Sequence, residues 1–235
     1  MGLNFHMAAV RNGITLTGLC KEYRLGKTSV QALRDVNLEI TAGSFACVAG
    51  PSGSGKTTLL NIIGLIDTPT SGTVHVAGED IQGLTEKLRT RYRSRTLGFI
   101  FQSFNLLPVL DVFENVNLPL LLHRELTVAQ KRERVREMIA AVGLDAHLRH
   151  KPFELSGGQR QRVAIARALV THPYIVLADE PTANLDSHTG TEVLDLMEHI
   201  NRNRGTTFIF SSHDPHVMER AGRVIHLHDG AIEAA

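Results

Sequence analysis

In VNLEI, Val36, Leu38 and Ile40 alternate with polar residues, the two-residue period of a strand with one buried face. ITLTGL (14–19) and TVHVAG (73–78) alternate in the same way. Turn signals at Ala42-Gly43, Pro69 and Ser71-Gly72 separate these segments. Four other runs do not alternate. FACVA (45–49), LGFIF (97–101), YIVLA (174–178) and TFIF (207–210) are continuously apolar. Such runs predict strands covered on both faces, as in a parallel sheet between helices. Periodic helical segments fall between them, so an α/β layer architecture is expected.

The middle of the chain has a different period. Thr127 with Gln130 makes a capping box. Val128, Val135, Met138, Ile139 and Val142 read as one apolar helical stripe, with Gly143 as the residue that ends it. The region from about 103 to 156 is therefore expected to be a mainly helical insert. Lys87, Arg89, Arg91, Arg93 and Arg95 form a basic run. No aromatics interleave with it for base stacking, so it reads as a solvated helix face.

Composition narrows the classes. The formal net charge is +1, which gives no global case for nucleic acid or an anionic membrane surface. No apolar stretch approaches the roughly 18 residues needed to cross a bilayer. The segment MGLNFHMAAVRNG has no apolar core long enough for a signal peptide. Work at a membrane would thus require another chain. The two cysteines, Cys20 and Cys47, have no metal or redox spacing, which fits a reducing compartment. Cys47 lies within FACVAG and is expected to be a buried, inert thiol.

Candidate chemistry begins at the first apolar run. Gly50-Pro-Ser52-Gly53-Ser54-Gly55-Lys56-Thr57 fits G-x-x-x-x-G-K-[ST], after a strand and before the helical segment TLLNIIGLI. Its backbone N–H groups would wrap a β-phosphate. Lys56 would neutralise β/γ oxygens, Thr57 would ligate Mg²⁺ and Thr58 would bond an α-phosphate. YIVLADEP ends in two carboxylates, Asp179 to hold Mg²⁺ and Glu180 to act as general base. Two further runs end in Gln102 and His213. In open α/β sheets, ligands bind beyond the carboxyl ends of the strands, so these groups should share one edge.

A second glycine-rich turn follows, LSGGQ at 155–159. Ser156 and Gln159 form a capping box. Capping does not account for Gly157 and Gly158, which weaken a first helical turn unless bare backbone is wanted. LSGGQ, the phosphate loop, Gln102, LADEP, NLD at 184–186 and His213, in that order, resemble the ATP-binding subunits of ABC transporters. The resemblance covers nearly the whole chain. It implies a homodimer with two shared ATP sites, each closed by the partner's Ser156, Gly157, Gly158 and Gln159. It further implies that Tyr23 stacks on adenine and that Gln102 senses Mg²⁺ and the attacking water. Asp186 would couple the two sites, and His213 would contact the γ-phosphate and support Glu180.

GFIFQSFNLLP, ENVNLPLLL and PTANLD are similar to the lipoprotein-release and macrolide-export group. The expected fold is α/β: a P-loop NTPase (RecA-like) core with an N-terminal antiparallel β subdomain, residues 1–102 and 157–235. An inserted α-helical subdomain, residues 103–156, leads into LSGGQ. The expected activity is MgATP hydrolysis that drives a transmembrane permease. The location implied is cytoplasmic, on the inner face of the inner membrane, touching the membrane only through the permease. A signalling subunit of the cell-division type shares these motifs. DNA-repair relatives need long coiled coils and translation relatives tandem ATP domains, and 235 residues hold neither. His226 and His228 share one face of an alternating segment and read as solvent-facing.

Overall fold

The computed structural model describes residues 13–26 and 28–233; the amino-terminal segment read above for a signal peptide lies outside them. The chain runs β1 (Ile14–Leu25), β2 (Thr28–Ile40), β3 (Phe45–Ala49), α1 (Lys56–Ile63), β4 (Ser71–Val76) and β5 (Glu79–Asp80). Next come α2 (Glu86–Thr96), β6 (Leu97–Ile100), α3 (Val112–Asn117), α4 (Val128–Ala141) and α5 (Gly157–Leu169). The last part is β7 (Ile175–Asp179), α6 (Ser187–Arg204), β8 (Thr207–Ser212), α7 (Pro215–Glu219), β9 (Arg223–His228) and β10 (Ala231–Ile232).

Two sheets result. The alternating segments form an antiparallel sheet in the order β2-β1-β4-β5, where Ile14 faces Ile40 on one side and Val76 on the other. The continuously apolar runs form a second sheet in the order β10-β9-β3-β8-β7-β6, parallel except for the β10 edge. The reason for the unbroken apolar runs is visible at β3. Phe45, Cys47 and Ala49 enter a core shared with α3, α4, α5 and α6. Ala46 and Val48 enter the opposite core, shared with α1 and the antiparallel sheet. A strand with a core on each face has no position to spare for a polar residue. Phe45 stacks at a tilt on Phe208 and Phe210, with ring centroids 5.9 and 4.8 Å apart.

Two sequence expectations need correction. The stripe on α4 begins at Val135. Val135, Met138, Ile139 and Val142 are buried, whereas Val128 is 80% exposed because the first turn of α4 extends beyond the helices it packs on. The basic run on α2 is not one solvated face. Lys87 and Arg91 are exposed, but Arg93 bonds the Leu65 carbonyl at 2.8 Å and Arg95 pairs with Glu125 at 3.2 Å. Among the described residues, no helix is long and apolar enough to cross a membrane. His226 and His228 are exposed on β9, opposite the buried Ile225 and Leu227.

Candidate functional site

β3 stops at Ala49, and the chain turns through Gly50–Gly55 into α1. Gly55 closes that turn with φ +106, and a Cβ there would sit 2.5 Å from the Ala32 carbonyl oxygen. A side chain is excluded on both counts. Lys56 opens α1 with its stem buried, and its Nζ donates to the carbonyls of Gly50 (2.8 Å) and Pro51 (2.9 Å). The turn thus presents the start of α1, where backbone N–H groups and the helix dipole favour an anion. Ser54 lies beneath the turn, buried, with its hydroxyl unpartnered.

The neighbouring strands bring the acids. Thr57 Oγ1 donates to Asp179 Oδ2 at 2.9 Å. Glu180 follows in the left-handed conformation, φ +48, and its carboxylate is 16% exposed. Its Oε1 lies 2.9 Å from His213 Nδ1 and 4.0 Å from Lys56 Nζ. These groups border a cleft of about 460 Å³. Ser52, Gly53, Gly55, Lys56, Thr57 and Thr58 form one wall; Gln102, Asp179, Glu180 and His213 form another. The order β3-β8-β7-β6 explains the grouping, because each strand delivers its terminal residue beside the next.

The third wall was not read from the sequence. Val30, Gln31, Ala32 and Arg34 of β2 and the Asp229-Gly230 turn line it, joined by the Arg34 N–H to the Gly230 carbonyl at 2.7 Å. Val30, Ala32 and Gly230 are small or apolar, and none of the six belongs to a motif. Only the Asp-Gly turn signal between β9 and β10 could have drawn attention to it.

Tyr23 stands beside the cleft rather than in its lining. Its hydroxyl donates to Asp67 Oδ2 at 2.6 Å, and the Lys21 ammonium lies 4.7 Å from its ring centroid. Burial and the bond to Asp67 raise the Tyr23 phenol above its ordinary value. Asp67 is partly buried, which opposes ionisation, yet its bonds from Lys21, Tyr23 and the Thr68 N–H hold its carboxyl below the usual range. Beneath the cleft, Cys47 is fully buried. Burial, with the nearby Glu180 charge, pushes its thiol up to about 12.

Ser156, Gly157, Gly158, Gln159 and Asp186 do not border this cleft. Ser156 caps α5, accepting the Gln159 N–H at 3.2 Å while Gln159 Oε1 accepts the Ser156 N–H at 2.9 Å. Gln159 also bonds His147 at 3.1 Å. The two glycines differ. Gly158 is buried against the Thr189 methyl, so a Cβ would overlap Thr189 Cγ2. That glycine has a packing reason inside its own chain. Gly157 is partly exposed and only in ordinary contact with Leu185. Asp186 caps α6, and hydrogen bonds from Thr189 hold its carboxyl below the usual range. Asn184 Nδ2 donates to the Gln102 carbonyl at 2.8 Å, and buried Gln161 on α5 donates to the Pro181 carbonyl at 2.7 Å. The segment after β7 therefore ties the Gln102 end of the cleft to the LSGGQ helix.

An open parallel sheet whose central strand runs through a GxxxxGKT turn into a helix is that of a P-loop nucleoside triphosphatase. The chain belongs to the ABC transporter family, whose profile matches residues 33–183. It is 46% identical over 215 residues to the lipoprotein-releasing system ATP-binding protein LolD of Bordetella pertussis, covering 92% of this chain and 93% of that one. It is also 46% identical over 221 residues to the macrolide export ATP-binding/permease protein MacB of Syntrophobacter fumaroxidans. That match takes in 94% of this chain and 31% of the longer protein. The ATP-binding cassette MJ0796, solved as a post-hydrolysis dimer with ADP and Pi, superposes with TM-score 0.87 at 42% identity. It covers 94% of this chain and 97% of the MJ0796 chain. As a family member, the chain is an ATP-binding, ATP-hydrolysing transport subunit.

Proposed function

We propose that two copies of this chain close head to tail around two ATP molecules and drive a membrane permease of the lipoprotein-release or macrolide-export type. The observation that carries this reading is the separation of the two anion-facing helix starts. One opens into the cleft at Lys56, and the other, at Ser156 and Gly157, lies outside its lining. A second molecule supplies what the first cannot reach. The dimeric MJ0796 cassette supports the pairing of two copies, and the names of LolD and MacB support the kind of permease.

The residues fit magnesium and phosphate. Thr57 and Asp179 are paired oxygen donors, the hard ligand type that Mg²⁺ takes alongside substrate phosphates. The unpartnered Ser54 hydroxyl sits under the same turn. Mg²⁺ held there would neutralise charge on the phosphate oxygens. Lys56 and the loop N–H groups would bind the triphosphate, Thr58 its α-phosphate, and Tyr23 the adenine. Glu180 would take the proton of the attacking water, with His213 orienting the Glu180 carboxylate. Gln102 would follow the γ-phosphate end of the cleft and pass its state through Asn184. Asp186 would face the partner. The chain would lie on the cytoplasmic face of the inner membrane, held by the permease.

Mixing a Lys56→Ala subunit with a Gly157→Asp subunit tests the arrangement. In the heterodimer both lesions fall in one composite site and leave the other intact. ATP-dependent association should appear in the mixture and be absent from either variant alone. A mixture that stays monomeric at high protein and ATP would refute the trans arrangement.

A further inference from the structure

Ser211 closes one row of β8. In the parallel pairing of β7 with β8, Ile175 faces Thr207, Leu177 faces Ile209 and Asp179 faces Ser211. Paired residues share a sheet face, so Ser211 and Asp179 end an otherwise core-facing row. Ser211 is 0% exposed. A hydroxyl removed from water is costly unless bonded. Both of its bonds go to the acids of the cleft. Ser211 Oγ donates to Asp179 Oδ1 at 2.6 Å and accepts the Glu180 N–H at 2.9 Å. The adjacent Ser212 shows the contrast, since its hydroxyl accepts only the local Asp214 N–H at 3.1 Å.

The geometry has two effects. Asp179 is gripped on both oxygens, Oδ1 by Ser211 and Oδ2 by Thr57, so its carboxylate cannot turn without losing a bond. Glu180 is held by its own backbone in a left-handed conformation that a side-chain-bearing residue adopts at a cost. That conformation directs its carboxylate to His213 and toward Lys56. One hydroxyl therefore fixes two consecutive acids relative to each other. An apolar residue would fill the same space and do neither.

We propose that Ser211 is a positioning residue for ATP hydrolysis, setting the angle between the metal-facing Asp179 and the water-facing Glu180. This rests on the reading of those two acids given above. Ser211→Thr and Ser211→Val separate the hydroxyl from the bulk, because the two side chains differ little in shape. The valine variant should melt a few degrees below the threonine variant, because it leaves the Glu180 N–H and Asp179 Oδ1 without that partner, while both bind ATP without Mg²⁺ to within about threefold. The threonine variant should keep most of the turnover. The valine variant should lose about ten- to hundredfold in kcat, the scale of a hydrogen bond to a charged group. Its half-saturating Mg²⁺ should rise about tenfold. If the valine variant does not fold, Ser211→Ala replaces it against threonine. Equal kcat and equal Mg²⁺ dependence in the hydroxyl-bearing and hydroxyl-lacking variants, with Asp179→Asn strongly shifted, would overturn the assignment of Ser211 alone. An unshifted Asp179→Asn would overturn the metal reading, and this assignment with it.

Discussion

His213 Nδ1 stands 2.9 Å from Glu180 Oε1, so the residues that follow two neighbouring parallel strands meet side chain to side chain. A carboxylate there accepts the ring N–H and is held at one angle. If Glu180 is the base, replacing it with glutamine removes proton acceptance and leaves the binding loop untouched. Glu180→Gln should bind ATP as the parent does and hydrolyse it about 10²–10⁴-fold more slowly. It should accumulate as a dimer on ATP, seen by light scattering after size exclusion. A slow variant that remains monomeric would separate the chemistry from the association.

Gly158 meets Thr189 where α5 packs on the start of α6. Gly158→Ala should therefore destabilise the fold by about 1–3 kcal/mol, the range for overpacking, and lower Tm by roughly 3–10 °C. Thr189→Ser removes the offending methyl, so the double variant should recover most of the loss. A Gly158→Ala protein that melts with the parent would show that the helices part easily there.

Cys47 is fully buried, and its thiol is pushed up to about 12. A raised thiol stays neutral and unreactive at pH 8. Cys20 is partly exposed, accepting only the Asp35 N–H at 3.3 Å. Iodoacetamide at pH 8 should therefore label Cys20 in the folded protein, and label both thiols only after denaturation. Fast native labelling of Cys47 would mean that the floor of the cleft opens.

Much of this was legible in the sequence, for identifiable reasons. β3, β7 and β8 announce themselves because cores on both faces demand unbroken apolar residues. Lys56, Asp179, Glu180 and His213 are legible because strand ends and a glycine turn carry chemistry at fixed spacing. What stayed hidden depends on neighbours remote in the chain. Ala32 and Gly230 line the cleft through backbone shape rather than functional groups. Gly158 looked like exposed backbone until Thr189 was beside it. Ser211 reads as the polar end of an apolar strand, and its role appears only when β7 lies next to β8 in register with Asp179. Val128 has the right period for the core, but period says nothing of how far the packing partners extend.

The order β9-β3-β8 has a consequence for how the protein is made. The strand that carries the phosphate loop is synthesised well before both of its sheet neighbours. At about 5–20 residues per second, β8 follows β3 by roughly 8–30 seconds. Through that interval the nascent chain carries Phe45–Ala49 as an unpaired apolar segment, an aggregation hazard during synthesis. The nucleotide cleft is completed only after β8 and β9 have been made, so a product cut short before them lacks His213 and the Asp229-Gly230 wall.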